Sequence, residues 1–238
     1  MSIKFRERAG VLVMQTGRAL RIGTIRIPFG VLRGKLWRFT SSIPSCALGT
    51  YEKPIATVLR DKLRKGTIFF DIGANVGYYT LFASTLVGDN GRVIAFEPEP
   101  GNMRMLSEHM RINGCTNVVP VQKALSDAPG ILRFDGTAHT MCKFSDDGNI
   151  EVECTTLDTF IRDSGILPDV LKMDIEGAEV RALRGADICL SEIRPEIILS
   201  VHDGLLDRCL DILSGYDYTI EQLSPDDLYC VPLKRGTR

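Results

Sequence analysis

The sequence has no C-x-x-C pair, although its 238 residues include seven cysteines. The cysteines are odd in number and scattered along the chain, so they predict neither a zinc site nor a disulfide framework. Free thiols are typical of a reducing compartment, which indicates a cytoplasmic protein.

Long apolar runs are also missing. The apolar cluster nearest to the start, at residues 11–14, is far shorter than the roughly 20 residues of a membrane-spanning helix. It also lacks the small-residue cleavage pattern of a secretory signal. With 44% apolar and 25% charged residues, the composition is that of an ordinary globular protein, long enough for one large α/β domain or two small ones.

The net charge of −1 conceals an uneven distribution of charge. Residues 1–40 contain nine Lys and Arg but one acid, so this segment carries +8 and the remainder −9. One interpretation is peripheral contact with an anionic membrane surface. The other is a solvated or domain-packed lid, which the repeated glycines favour because they interrupt an amphipathic helix. We expect a basic N-terminal extension over residues 1–45, followed by one domain over residues 46–238.

Residues 51 onward follow a regular apolar pattern. Ile55, Leu59 and Leu63 recur at four-residue spacing, which predicts a helix before Gly66. Strand-like and helical segments then alternate, which predicts an α/β fold with a mostly parallel sheet. The predicted strands are "TIFFDIG", "GRVIAFEPE", "NVVPVQKAL", "PDVLKMDIEG" and "PEIILSVHD", with "YTIEQL" and "LYCVPL" as a last antiparallel pair. A polar, hairpin-like section interrupts the alternation at about residues 126–155.

The first of these strands ends in "FFDIGANVGYYT", where Asp71 precedes Gly73, Asn75 and Gly77. Ligands of such sheets bind at the carboxyl ends of the strands. The two glycines let the backbone come close to a ligand, and Asn75 tolerates left-handed backbone angles. The G-x-N-x-G spacing is neither the dinucleotide G-x-G-x-x-G nor a Walker loop.

Two acids indicate which ligand this loop suits. Asp71 would repel a diphosphate but attract an ammonium or sulfonium group, although a tight turn with no ligand is an alternative interpretation. Glu97 ends the second strand, 20 residues after Gly77, where an acid can accept hydrogen bonds from both ribose hydroxyls of a nucleoside. Pro98 stiffens the turn that follows. NAD and S-adenosylmethionine both contain such a ribose, but only S-adenosylmethionine also explains Asp71.

Six segments in order resemble the FkbM-type S-adenosylmethionine-dependent methyltransferases over about residues 49–202: "GTYEKP", "FFDIGANVGYYT", "IAFEPEP", "VQKALSD", "TTLDTFI" and "VLKMDIEGAEV". The resemblance implies the class I methyltransferase fold, a Rossmann-like seven-stranded sheet with helices on both faces. It also implies O-methylation of hydroxyls on sugars, glycans or natural products. S-adenosylmethionine is the implied cofactor, and a small molecule or glycan, with no nucleic acid, is the implied partner. The oligomeric state is not predicted.

In this fold the carboxyl end of the fourth strand faces the methyl group, and here it reads "KMDIEGAE". Asp174 is therefore expected between the cofactor and the acceptor. Glu176 either lies beside Asp174 or caps the next helix, and Glu179 is expected to be a solvated helix residue. His202 ends the fifth strand and is the candidate general base. With Asp174 and Asp203 it could instead bind a divalent ion, although we assign no metal ligands.

The third strand, which ends in "VQKALSD", is expected to contact the adenine. The candidates are the backbone amides near Ala124 and Leu125, with Ser126 or Asp127 near the exocyclic amine. Lys172, inside the fourth strand, receives no role.

Two functions of other classes compete with methyl transfer. One is a catalytically silent binding module, which the presence of the whole set of acids and glycines disfavours. The other is a nicotinamide-dependent oxidoreductase, which Asp71 and the missing G-x-G-x-x-G disfavour. His109, in a predicted helix, is expected to have no catalytic role.

Overall fold

The computed structural model of the protein describes residues 23–39, 41–51, 53–135, 143–144, 148 and 150–233. The α-helices of this part are α1 (Pro44–Leu48), α2 (Lys53–Lys62), α3 (Tyr78–Val87), α4 (Pro100–Ile112), α5 (Leu157–Ser164), α6 (Glu179–Arg184) and α7 (Leu206–Ser214), and a π-helical turn spans Cys189–Ile193. The strands are β1 (Thr24–Arg26), β2 (Leu36–Arg38), β3 (Ile68–Ile72), β4 (Arg92–Phe96), β5 (Val118–Val121), β6 (Ala124–Leu125), β7 (Gly130–Asp135), β8 (Lys143–Phe144), β9 (Ile150–Thr155), β10 (Val170–Met173), β11 (Glu196–Ser200), β12 (Tyr218–Gln222) and β13 (Asp227–Pro232).

The largest sheet has seven strands in the order β12-β13-β11-β10-β3-β4-β5. The strands from β11 to β5 are parallel, and β13 pairs antiparallel with both β11 and β12. The predicted mostly parallel sheet and the predicted last antiparallel pair are both confirmed.

Helices cover both faces of this sheet because its strands are apolar on both sides. Phe69 and Phe70, neighbours on β3, are fully buried in two different core clusters. Helices α2, α3 and α4 pack on the side of Phe69, and α5, α6 and α7 on the side of Phe70. The predicted apolar spacing of α2 is confirmed, since Ile55, Leu59 and Leu63 all lie in the core. Each such side chain contributes about 1.5–3 kcal/mol through burial.

The prediction of one continuous third strand through Leu125 is wrong. Strand β5 ends at Val121, where the amide of Lys123 donates to the Val121 carbonyl and turns the chain out of the sheet. Residues 124–125 instead form β6, which belongs to a small sheet with the order β6-β9-β7-β8. Strands β7 and β9 pair antiparallel in this sheet, as the hairpin-like pattern predicted.

The N-terminal hairpin, formed by β1 and β2, packs onto α4. Trp37 on β2 is fully buried and stacks on the His109 ring, with ring centroids 3.7 Å apart. The backbone of Leu36 exchanges two 2.8 Å hydrogen bonds with the Asn113 side chain. The domain boundary expected at residue 46 therefore falls within α1, after a hairpin that shares the core of the sheet.

His109 links this hairpin to the loop that follows β3. Its Nδ1 donates to the Val76 carbonyl at 2.7 Å, and its Nε2 accepts from the Arg38 amide at 3.1 Å. Both nitrogens are thus used by the backbone, and the ring is fully buried. The residue is structural in this geometry.

Two features bear on the location of the protein in the cell. The six cysteines within the described residues are all free thiols. In the same part of the chain, no helix combines the length and the hydropathy needed to cross a bilayer. Neither feature assigns a compartment, so a cytoplasmic location stays a prediction. Membrane contact of the basic segment also stays a prediction, since residues 1–22 lie outside the described residues.

We expect His109 to make the protein less stable as the pH falls from 6.5 to 4. Burial lowers the pKa of His109 from 6.5 to about 4, so between these values the unfolded chain takes up a proton that the folded protein does not. The contribution is complete above pH 6.5 and is lost as the pH falls through 4, and it is on the order of 3 kcal/mol.

Urea unfolding of the wild type and of His109→Gln between pH 4 and 7 measures this contribution. The glutamine amide can serve the same two backbone groups but does not titrate, so the free energy of unfolding of the variant should decline less steeply. Parallel pH dependences of the two proteins would contradict the prediction.

Candidate active site

Acidic and basic side chains gather at the carboxyl edge of the parallel strands. Asp71 is the penultimate residue of β3, Glu97 directly follows β4, Asp174 directly follows β10, and His202 follows β11 by two residues. The parallel register brings these four strand ends level with one another. A cavity of about 250 Å³ opens along this edge.

Most of the side chains predicted for the site line this cavity. Those that do are Asp71, Gly73, Asn75, Glu97, Pro98, Ala124, Asp174 and Glu176. Those outside the lining are Gly77, Ser126 and His202, of which His202 lines a neighbouring depression.

Asp71 is fully buried at the base of the cavity. The Thr80 hydroxyl donates to its Oδ2 at 2.6 Å, whereas its Oδ1 has no hydrogen-bond partner among the described residues. Burial raises the pKa of Asp71, and the nearby Lys172 ammonium and the Thr80 hydrogen bond oppose that shift. A buried acceptor without a donor is costly, so this oxygen suits a ligand that brings a donor or a positive charge.

The glycines of the loop serve the protein's own packing rather than ligand approach alone. Gly73 has a φ of 78°, and a Cβ on it would lie 1.8 Å from the carbonyl oxygen of Asp174. Gly77 has a φ of 90°, and its Cβ would lie 3.0 Å from Leu106 on α4. Asn75 adopts the expected left-handed backbone, with a φ of 50°. The end of β10 therefore requires glycine at residue 73, whereas at residue 77 the positive φ is the main reason for glycine.

Glu97 is buried and is held by three donors. Its Oε2 accepts from the Asn75 amide at 2.8 Å, and its Oε1 accepts from the Glu99 amide at 3.0 Å and from Asn102 Nδ2 at 3.3 Å. Burial raises the pKa of Glu97 to about 7, against the effect of these hydrogen bonds. Because a carboxylate has about four lone-pair sites, it can still accept from a ligand.

The end of the cavity beyond Glu97 is formed by β6 and by Phe134 of β7. Ala124 and Leu125 line it through the turn that takes the chain out of the main sheet. Ser126 is buried away from the cavity and donates to Asp127 at 3.0 Å. The expected contact through Ser126 or Asp127 therefore has no support in the lining of the cavity.

Four residues that precede α2 also line the cavity wall: Ser42, Ile43, Cys46 and Tyr51. None of these residues was predicted for the site. A lid was one interpretation of the basic N-terminal segment, of which residues 1–22 lie outside the described residues.

Asp174 sits between two basic groups at the rim. Its Oδ2 accepts from the Lys172 ammonium at 3.1 Å, and its Oδ1 lies 3.7 Å from His202 Nε2. Lys172 has only 2% of its surface exposed and lines the cavity. No role was predicted for this lysine.

His202 is surrounded by acids. Its Nδ1 lies 2.9 Å from Glu179 Oε1, and its Nε2 lies 3.9 Å from Glu176 Oε2. Glu179, expected to be a solvated helix residue, is instead fully buried; that prediction is wrong because the carboxylate turns inward to His202 and α6 packs against α7. Of the two alternatives for Glu176, the structure shows the position beside Asp174.

This environment keeps a proton on His202. The hydrogen bond to Glu179 raises the pKa of His202 to about 9, with Asp174 and Glu176 adding to the shift and burial opposing it. The imidazole is therefore mostly charged at neutral pH. The acidic Asp174 then lies between two cations, Lys172 and His202.

The same cluster is a candidate site for a cation. Asp174, Glu176 and His202 each offer one ligand atom, and these atoms lie within 4.8 Å of one another. Asp203, which the sequence suggested as the third ligand, is not in this group; Glu176 takes its place. Such a mixed oxygen and nitrogen set could hold a divalent ion.

The sequence matches the family described as Methyltransferase FkbM domain over residues 71–220. It is 27% identical over 197 residues to the hexuronic acid methyltransferase AglP of Haloferax volcanii, covering 79% of this chain and 80% of that one. It is 29% identical over 201 residues to the 31-O-demethyl-FK506 methyltransferase FkbM of Streptomyces tacrolimicus, covering 67% of this chain and 75% of that one.

Solved structures show the same fold. The methyltransferase FkbM of Methylobacillus flagellatus superposes with a TM-score of 0.55 at 23% identity, over 71% of this chain; this chain spans only 45% of that one. The fibrillarin of Aeropyrum pernix, in complex with S-adenosyl-L-methionine, superposes with a TM-score of 0.51 at 16% identity, over 75% of this chain and 74% of that one. Together with the strand order, these likenesses confirm the predicted class I methyltransferase fold.

We expect His202 to titrate with a pKa near 9 and Glu179 to be the main reason. Replacing the buried carboxylate by an amide in Glu179→Gln removes the strongest stabilisation of the imidazolium, so the pKa of His202 should fall. Histidine ring resonances in NMR spectra, followed from pH 5 to 10, measure both values. A wild-type pKa near 6.5, or one that does not change in Glu179→Gln, would contradict this assignment.

Proposed function

The chain belongs to the methyltransferase FkbM domain family, and we propose that it transfers the methyl group of S-adenosylmethionine to a hydroxyl oxygen of a sugar, glycan or natural product. The observation that carries the proposal is the buried pair of acids Asp71 and Glu97 at neighbouring strand ends, with one oxygen of Asp71 lacking a partner. Two relatives, whose names specify hexuronic acid and 31-O-demethyl-FK506 as the compounds methylated, support this class of acceptor.

The described residues fit the cofactor. Asp71 would interact with its positively charged amino acid part, and Glu97 with its ribose hydroxyls, whose hydrogen bonds favour the ionised carboxylate. Ala124 and Leu125 would border its adenine. When bound, S-adenosylmethionine supplies a methyl group on a positively charged sulfur.

On the acceptor side, Asp174 and His202 would orient the hydroxyl and take its proton. Asp174 Oδ1 and His202 Nε2 lie 3.7 Å apart, so one hydroxyl oxygen can lie within hydrogen-bond distance of both atoms. Asp174 would accept the hydrogen bond that positions the oxygen, since orientation alone supplies much of the catalysis in such reactions. His202 would act as the general base once it has lost its own proton. The hydroxyl has a single proton, so it would turn from Asp174 Oδ1 to His202 Nε2 when the proton is transferred.

A divalent cation held by Asp174, Glu176 and His202 is the alternative to base catalysis by His202. It would polarise the acceptor hydroxyl as a Lewis acid. Because magnesium and manganese prefer oxygen ligands, these two ions are the natural candidates for a group with two carboxylates.

We expect loss of either buried acid to weaken binding of S-adenosylmethionine by about 1–3 kcal/mol, the value of a hydrogen bond to a charged group. Asp71→Asn and Glu97→Gln preserve side-chain size while removing the charge, and Asp61→Asn, an exposed acid on α2, is the control. Calorimetric titration with S-adenosylmethionine, S-adenosylhomocysteine and NAD measures binding. Wild-type affinity in both variants would show that the cofactor binds elsewhere, and preference for NAD would favour an oxidoreductase.

We expect the turnover of the enzyme to rise with pH toward the pKa of His202, about 9, if His202 is the base. A neutral imidazole is needed to accept a proton, so the rate follows the deprotonated fraction. Mass spectrometry on a panel of glycans and cell extracts detects the added methyl group and identifies an acceptor for the pH profile. His202→Ala should lower turnover more than it lowers cofactor affinity.

A chelator separates the two alternatives in the same assay. Loss of activity with a chelator and recovery with magnesium or manganese would support the cation. Full activity of His202→Ala without any response to the chelator would exclude both and leave orientation by Asp174 as the source of the rate. A wild-type protein that binds S-adenosylmethionine but methylates nothing would support the silent binding module.

A further inference from the structure

Lys172 is a charged residue in the interior of the sheet. It lies on β10 between β3 and β11, directly opposite Asp71 in the register of β3. Only 2% of its surface is exposed. Removing an ammonium from water is costly unless a partner compensates for the lost hydration, so a lysine at this position calls for a reason beyond packing.

Within the cavity the ammonium contacts a carboxylate and an aromatic ring. It donates to Asp174 Oδ2 at 3.1 Å and lies 5.1 Å from the centroid of the Tyr79 ring. A cation over an aromatic face is attracted to it. The hydrogen bond and the cation–π contact therefore restrict the position of the ammonium. Through the hydrogen bond they also restrict the Asp174 carboxylate.

The two carboxylate oxygens of Asp174 have different neighbours. Oδ2 is taken by Lys172, and Oδ1 faces His202 across 3.7 Å, which is too long for a hydrogen bond. If the carboxylate rotated, Oδ1 would leave this position. The ammonium thus keeps the oxygen that faces the acceptor from turning away.

Lys172 also separates two acids that would otherwise repel each other. Asp71 and Asp174 interact unfavourably as like charges, and Lys172 acts on Asp71 in the opposite sense. The lysine thus weakens the repulsion within a cleft where Asp71 would serve the cofactor and Asp174 the acceptor.

We propose that Lys172 is a positioning residue for methyl transfer, which holds Asp174 by Oδ2 so that Oδ1 accepts the hydrogen bond of the acceptor hydroxyl. This inference rests on the proposed function. Lys172 acts through Asp174 and not on the reacting atoms, so its removal should affect turnover chiefly when Asp174 is intact.

The test replaces the lysine by an uncharged side chain of similar length, Lys172→Met. Turnover should fall roughly 100-fold, the effect of a misplacement of about 1 Å in a catalytic arrangement. The affinity for S-adenosylmethionine, measured by calorimetry, should change far less. Thermal unfolding shows whether the variant is folded; if it is not, Lys172→Gln, which retains an N–H donor, undergoes the same measurements.

Lys62 offers a matched control. Its ammonium lies 3.4 Å from Glu196 Oε2 and 5.0 Å from the centroid of the Tyr229 ring, outside the cavity lining. It has the same kinds of partner as Lys172, a carboxylate and an aromatic ring, so Lys62→Met should keep wild-type turnover. A turnover of Lys172→Met equal to that of Lys62→Met would overturn the proposal.

A double-mutant cycle with Asp174→Asn tests the route of the effect. Residues that act through one another have non-additive effects, so Lys172→Met should cause little further loss of turnover in the Asp174→Asn background. Multiplied losses in the double variant would show that Lys172 acts independently of Asp174 and would overturn the proposal.

The wild type is measured first: absence of methyl transfer there contradicts the proposed function itself, whereas an active wild type with an equally active Lys172→Met contradicts only the role of Lys172.

Discussion

The close approach of Gly73 to the end of β10 is the constraint on which the site depends. A Cβ at residue 73 would lie 1.8 Å from the Asp174 carbonyl oxygen, so no other residue type fits without moving a strand. The loop after β3 can cross the end of β10 only because this side chain is absent. The parallel register of β3 and β10 places Asp71 and Asp174 in one cleft, so a cofactor at Asp71, as proposed above, would lie next to an acceptor at Asp174.

The burial of several charged side chains at this site lowers the stability of the fold. Asp71, Glu179 and Lys172 are almost fully buried, and one oxygen of each of the two acids has no hydrogen-bond partner among the described residues. Apolar residues of similar volume at such positions are often neutral or stabilising. Strain and unsatisfied groups of this kind are typical of active sites, where function opposes stability. The surrounding sheet, with apolar clusters on both faces, supplies the rigidity that keeps these groups in place.

The sheet was predictable because the alternation of strands and helices is a local property of the sequence. Asp71, Glu97 and Asp174 were predictable as well, since an acid directly at a strand end must lie at the carboxyl edge. Lys172 could have been added, because residues two apart on a strand share a face and Asp174 was already assigned. Glu179 could not, since its burial depends on how α6 packs against α7 and on its contact with His202. The split of the third strand depends on tertiary contacts in the same way: β6 pairs with β9, about 30 residues away.

The structure of the N-terminal residues likewise depends on tertiary contacts. Their glycine-interrupted pattern did not predict strands, yet β1 and β2 form a hairpin whose Trp37 stacks on His109. His109 donates to the Val76 carbonyl, and the preceding residue, Asn75, donates its amide to Glu97. A continuous set of contacts therefore runs from the hairpin through α4 to the loop and to the acid assigned to the ribose. Since Ser42, Ile43 and Cys46 also line the cavity, the segment after the hairpin forms part of the same wall. The described residues 23–39 and 41–48 thus pack as part of the unit that lines the cavity.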